Sequence, residues 1–208
     1  MVGHFILEIF LAIIVDKQKK RKDIALSCKD LILTNGINNL TVSQVAKAAG
    51  IGKGTVYEYF KNKDEIVFEL INILMQEHNE IKKRKLLNVS STKEKVKVFF
   101  DFFYNDEDFE LRELYKHFTA ITLVNKNENM IEFQTKCFDI YINWIDEIIQ
   151  EGINKNELNL HAKGLIRGLF AYTQGIFIMS VTTNSILNLK DEINFQIDTI
   201  FDFMGVDN

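Results

Sequence analysis

No proline occurs anywhere in the 208 residues, and only ten are glycine. Strand-rich folds need such residues at their many tight turns, whereas long helices joined by short polar connections do not. The chain is therefore expected to be all-α, and the apolar spacing agrees. Ile24, Cys28, Leu31 and Ile32 share one face of a helix over 17–35, with Gly36 as its stop. Thr41 caps a short helix running through Ala49, Gly50 breaks it, and a third helix runs from Lys53 to Phe60. A fourth begins after Asn62, with Asp64 and Glu65 beside its positive end, and continues to Lys85. Ser91 and Glu94 read as a capping box for a helix carrying Val96, Phe99, Phe100 and Phe103. Helical segments over 106–123, Glu128–Glu151 (stopped by Gly152), 161–182 and 190–204 complete the series.

Charge divides this helical chain unevenly. The net charge is −4, yet residues 1–63 hold ten Lys/Arg against five Asp/Glu, while residues 64–208 hold fifteen against twenty-four. A basic third on an acidic body suits a module that meets polyanions joined to one that does not. The two cysteines, Cys28 and Cys137, lie far apart and match no metal or redox spacing, which points to a reducing cytoplasm and core thiols. No pair of the four histidines has metal-ligand spacing, and no Ser-His-Asp arrangement emerges. No catalytic residue, metal or cofactor is expected.

The stretch "GIGKGTVYEYFKNKDE", residues 50–65, admits two readings. As a phosphate loop it fails, because that motif needs G-x-x-x-x-G-K-[ST] after a buried strand. Here Gly54 follows Lys53, Lys47 stands five before Gly52, and "TVSQVAKAA" upstream has helical spacing. As a helix-turn-helix it fits throughout. Ala46 and Ala49 are small enough for two crossing helices, Gly50 supplies the turn, Ile51 plugs the gap, and Val56 and Phe60 face inward. Lys53, Thr55, Tyr57 and Tyr59 then face outward, where they can bond phosphates and base edges.

"TVSQVAKAAGIGKGTVYEYFKNKDEI", residues 41–66, resembles the signature of the TetR family of bacterial one-component transcriptional regulators. Gly52 departs from it, since Ser or Thr commonly caps the second helix there. The resemblance implies a dimeric, cytoplasmic regulator, typically a repressor, of double-stranded operator DNA. It implies that Thr41 and Lys63 hold phosphates and that Tyr57 and Tyr59 meet the backbone or a thymine methyl. Ser43, Gln44, Lys53, Gly54 and Thr55 would face base edges. Gln44 has the chemistry to pair with adenine and Lys53 to donate to guanine.

The remaining two-thirds is rich in aromatics interspersed with polar groups, the composition of a mostly apolar small-molecule site. Phe103, His117, Phe118, Tyr141, Trp144, Phe170, Gln174 and Phe177 are the candidates to touch an effector. Gly164, Gly168, Ala171 and Gly175 make a flat stripe on the penultimate helix, suited to close contact within a subunit or between subunits. In the final helix Ile193, Ile197, Ile200, Phe201 and Met204 form an apolar face. The resemblance implies pairing of the last two helices between subunits, with Gly168, Tyr172, Gly175, Ile193, Ile197 and Phe201 at the interface.

The expected organisation is an apolar extension at 1–16, a DNA-binding domain at 17–65, and a ligand-binding and dimerisation domain at 66–208. The apolar run Phe5–Val15 is about half the roughly 20 residues that span a bilayer. It contains Glu8 and is followed by charge, so a helix packed on the protein or its partner is expected rather than stable membrane association. Two rivals stand beside the regulator: a helical nucleotide-dependent enzyme using Gly50–Thr55, and a helical protein anchored in a membrane by Phe5–Val15.

Overall fold

The computed structural model describes residues 16–124 and 127–205, and these are helical almost throughout. The apolar run Phe5–Val15 lies outside the described residues. Helix α1 occupies 16–27 and is followed by α2 (Lys29–Asn35), α3 (Val42–Ala48), α4 (Lys53–Tyr59) and α5 (Lys63–Leu87). Then come α6 (Thr92–Phe100), α7 (Phe109–Val124), α8 (Glu128–Asn154), α9 (Ala162–Thr182) and α10 (Leu189–Met204). Single 3-10 turns at Ile37–Asn39, Asp101–Phe103 and Asp106–Asp108 make the tight connections. Among the described residues the β-type pairing is confined to one bridge, Leu158 with Gly205.

Two compact units emerge. The first takes in the described residues through Glu77 together with Glu113–Met130, and the second His78–Arg112 with the chain from Ile131 onward. In the first, Ile24, Cys28, Ile32, Val45, Val56, Phe60, Ile66 and Leu70 form a continuous apolar core. Phe118 on α7 meets Phe68 edge-on at 5.9 Å, and Asn127 donates to the Asp64 carboxylate at 3.1 Å. Part of α7 therefore packs as a member of the N-terminal unit.

Several helix boundaries differ from the expectation: α6 ends at Phe100, leaving Phe103 in the 3-10 turn Asp101–Phe103, and α7 starts at Phe109 rather than at 106. The helix expected over 17–35 is interrupted at Cys28, whose N–H bonds the Ala25 carbonyl in a tighter turn. Ser27 Oγ and Cys28 Sγ both donate to the Ile24 carbonyl there, and such back-bonding disturbs a helix. Gly152 does not stop α8, which continues to Asn154. Its role is close approach: a Cβ at this position would lie 2.6 Å from Thr92 Cγ2 and 2.7 Å from its Oγ1. The expected stop at Gly36 is present, with φ +77°.

The second unit is built on aromatic rings. Phe170 meets Phe99, Phe100 and Phe138 at centroid distances of 5.9, 5.2 and 5.5 Å. Tyr141 stacks with Trp144 at 6.3 Å, and Phe103 meets Phe177 at 5.4 Å. Ion pairs surround this cluster. Lys93 and Lys97 on α6 reach Asp198 on α10, and Lys95 reaches Glu151 on α8 at 2.7 Å.

Candidate functional site

The turn between α3 and α4 is dictated by Gly50. Its φ of +66° lies in the left-handed region, which is open to glycine and strained for most other residues. With Gly50 so placed, its N–H bonds Lys47 O at 3.3 Å and the Ile51 N–H bonds Ala46 O at 3.0 Å. This double bond pattern is a Schellman motif, which satisfies the last carbonyls of α3 and redirects the chain. The N-terminus of α3 is equally determined. Thr41 Oγ1 accepts from the Gln44 N–H at 3.3 Å, and Gln44 Oε1 accepts from the Thr41 N–H at 2.9 Å. Val45, Ala46, Val56 and Phe60 are buried, so the two helices cross on small and apolar side chains.

Outward from this crossing, Lys53, Gly54 and Tyr57 of α4 are exposed, and Tyr57 keeps 58% of its surface. Thr55 and Tyr59 are half-buried beside them. Thr41 and Ser43 on the α3 side are exposed, and Gln44 is half-buried with its amide oxygen engaged in the cap. Lys63, at the first position of α5, donates to the Asn38 carbonyl at 3.0 Å. At the N-terminus of α4, Gly52 offers no side chain to cap the helix. A stretch of polar and cationic groups with exposed backbone is a surface that can meet phosphates and base edges. Lys53 and Thr55 follow a helix and not a strand, which removes the context a phosphate loop requires.

Sequence patterning did not single out Arg21. Its guanidinium lies over the Phe60 ring, 4.2 Å from the centroid, and donates to the Tyr59 carbonyl and to Glu69 Oε2 at 2.8 Å. In the sequence it is one member of a basic run, indistinguishable from its solvated neighbours Lys19 and Lys22.

The candidate effector residues fall in both units. Phe103, Tyr141, Trp144, Phe170, Gln174 and Phe177 belong to the second, where all but the half-buried Gln174 are members of the ring cluster just described. His117 and Phe118 belong to the first, with the His117 ring 3.6 Å from where a Cβ at Gly36 would stand. Buried polar groups lie beside the rings, without any signal in the apolar periodicity. Lys82, only 2% exposed, donates to Val98 O at 2.7 Å and pairs with Asp101. His78 Nδ1 lies 2.6 Å from Asp108 Oδ1, and the Tyr141 hydroxyl donates to Asn79 Oδ1 at 2.9 Å. His78 and Lys82 sit one helical turn apart on α5.

Both thiols are unreactive in character. Burial raises the Cys28 thiol, and burial pushes Cys137 up to about 11, so little thiolate exists at neutral pH. Among the described residues no group of three or more His, Cys, Asp or Glu is placed to hold a metal.

The interface expectation is corrected on α10. Ile193 and Ile197 are 0% exposed and Phe201 is buried, because this apolar face packs inside the subunit. The exposed apolar residues of that helix are Phe195 (69%) and Phe203 (78%). On α9, Gly168 and Gly175 are exposed with no atom within 4 Å of an added Cβ, and Tyr172 is half-buried. By length and composition α9 is also apolar enough to cross a membrane, while Leu169, Phe170, Thr173, Ile176 and Phe177 of the same helix are buried in the unit.

Comparison with known proteins agrees with this geometry. Residues 29–70 match the family described as "Bacterial regulatory proteins, tetR family". The chain is 29% identical to the fatty acid metabolism regulator protein of Bacillus subtilis over 147 residues, covering 68% of this chain and 73% of that one. It is 24% identical to the HTH-type transcriptional regulator QacR of Staphylococcus aureus over 173 residues, covering 81% and 84%. The fold also matches the crystal structure of the transcriptional regulator FadR from Bacillus subtilis in complex with stearoyl-CoA. That match has a TM-score of 0.62 and 24% identity over 86% of this chain and 96% of that one. An all-α chain with a glycine-turned helix-turn-helix, this family match and these relatives belongs to the TetR family of transcriptional regulators, and is a DNA-binding regulator rather than an enzyme.

Proposed function

We propose that this regulator is a cytoplasmic homodimer that binds palindromic operator DNA as a repressor and is released by a small, largely apolar effector. Residues 17–65 would read DNA and 66–208 would bind the effector and the second subunit. The observation that carries the reading is the exposed face of α4, where Lys53, Gly54 and Tyr57 lie outward on a helix whose Val56 is buried, as are Val45 and Ala46 of α3. Pairing is supported by the open glycine stripe of α9 and by the exposed Phe195 and Phe203 of α10, apolar groups that favour burial. Two such copies present two recognition helices, which must be spaced about 34 Å apart to enter successive major grooves. An effector that binds better to a different spacing shifts the population away from DNA.

The aromatic cluster of the second unit supports an apolar effector, and the complex of FadR with stearoyl-CoA makes a long-chain acyl thioester the first to test. Selection of bound duplexes from random sequence should enrich an inverted repeat. Stearoyl-CoA should then release the complex at concentrations where coenzyme A alone does not. Enrichment of no sequence would sink the DNA-reading role, whereas release by neither compound would remove only the acyl class. Lys53→Ala should lose roughly 1–3 kcal/mol at one position of each half-site, measured by competition with single-base variants.

A further inference from the structure

Helix α4 is seven residues long and poorly supported by its own sequence. Gly52 gives it no side-chain cap, and no basic residue occupies its last turn. An α-helix leaves its final carbonyls without intrahelical partners, and its C-terminal end carries partial negative charge. A reading helix this short, with both ends uncapped locally, needs an external anchor to hold one orientation.

Arg21 supplies that anchor from another helix. Its guanidinium donates to the carbonyl of Tyr59, the last residue of α4. The same group covers the Phe60 ring at 4.2 Å and pairs with Glu69 on α5 at 2.8 Å. A planar fork can satisfy a carbonyl, a carboxylate and a ring face at once, which a lysine ammonium cannot. Arg21 is half-buried, so part of its charge is committed to the protein rather than presented to DNA.

We infer that Arg21 is a positioning residue for DNA reading: it caps the C-terminus of α4 in trans and ties the orientation of that helix to α5 through Glu69. The inference rests on the DNA-reading role of α4. Arg21 itself makes no base contact; it sets the angle at which Lys53, Gly54 and Tyr57 meet the groove. Loss of the fork should therefore damage discrimination between sequences more than it damages general attraction to DNA.

The test uses the full chain, a duplex selected by the wild type and a scrambled duplex of equal length, with anisotropy measured over a range of KCl concentrations. Arg21→Gln should lower the ratio of selected to scrambled affinity by roughly tenfold, the scale of one lost charge-assisted hydrogen bond. Its salt slope on the scrambled duplex should stay that of the wild type. Arg21→Lys keeps the charge but not the fork, so it decides the matter should Arg21→Gln fail to fold; its ratio should fall in the same direction. Glu69→Gln should give a smaller loss of the same kind.

Equal weakening on both duplexes, with a salt slope reduced by about one, would make Arg21 a phosphate contact and overturn the inference. A lower melting temperature with an unchanged ratio would make it merely structural, and overturn it equally. If the wild type enriches no sequence, the DNA-reading role falls and the inference falls with it. If the wild type enriches a sequence and both Arg21 variants discriminate as it does, the inference alone is wrong.

Discussion

Gln44 joins stability and recognition in one side chain. Its amide oxygen closes the capping box with Thr41, and the residue stands where the family resemblance expects a base reader. Glutamate closes this box as well as glutamine does, and its charge is favourable near a helix N-terminus. It cannot donate to adenine, however, and instead accepts from the cytosine amino group. Gln44→Glu should therefore leave thermal stability unchanged or slightly higher while moving base preference at one position of each half-site from adenine toward cytosine. Unchanged preference in a repeated selection would show that Gln44 serves the cap alone. The cap at Thr41 was legible because a helix N-terminus is marked by neighbouring residues. The partner of Arg21 was not, because Tyr59 and Glu69 lie 38 and 48 positions away.

At the scale of elements, the second unit depends on close approaches and buried charge. Where Gly152 on α8 crosses the start of α6, Thr92 is 1% exposed and has little room to yield. Gly152→Ala should destabilise the protein by about 1–3 kcal/mol despite the better helix propensity of alanine. Urea midpoints should show the cost, and adding Thr92→Ala should recover part of it; a neutral Gly152→Ala would mean that the helices separate freely. The turn at 101–108 is tied to α5 by Lys82–Asp101 and His78–Asp108. Burial by itself would raise the Asp108 carboxyl, but the His78 bond and the charges of His78, Lys82 and Lys85 outweigh it and hold it below its ordinary value. A carboxylate depressed in the folded state stabilises the fold above its unfolded value, near 3.9, and loses that contribution as pH falls through the folded one. The stability gap between wild type and Asp108→Asn should be full near neutrality and shrink below about pH 4. A gap independent of pH in denaturant titrations would mean that the pairing, rather than the ionisation, matters.

For the whole molecule the decisive question is which apolar faces belong inside one subunit and which between two. Gly175 has open space where a side chain would grow, so Gly175→Arg should leave the subunit folded while blocking pairing. Light scattering should report a monomer with wild-type helix content, and affinity for an inverted repeat should collapse; a dimeric variant would move the interface elsewhere. Ile197→Asp should act differently, since Ile197 is fully buried and a charge there unfolds the subunit before it separates two. The order of helices, the caps at Thr41 and Ser91, the Gly50 turn and the inward side of α4 were all determined by sequence alone. Each rests on residues within about one turn of one another, and local hydrogen bonding and 3.6-residue periodicity act at that range. Only the tertiary structure decided that α8 runs through Gly152, that Lys82 is buried, that Arg21 caps α4, and that the face of Ile193 and Ile197 is core. Those outcomes depend on which distant side chain arrives at a given surface, and an apolar stripe or a lysine carries no record of its partner until the chain has packed.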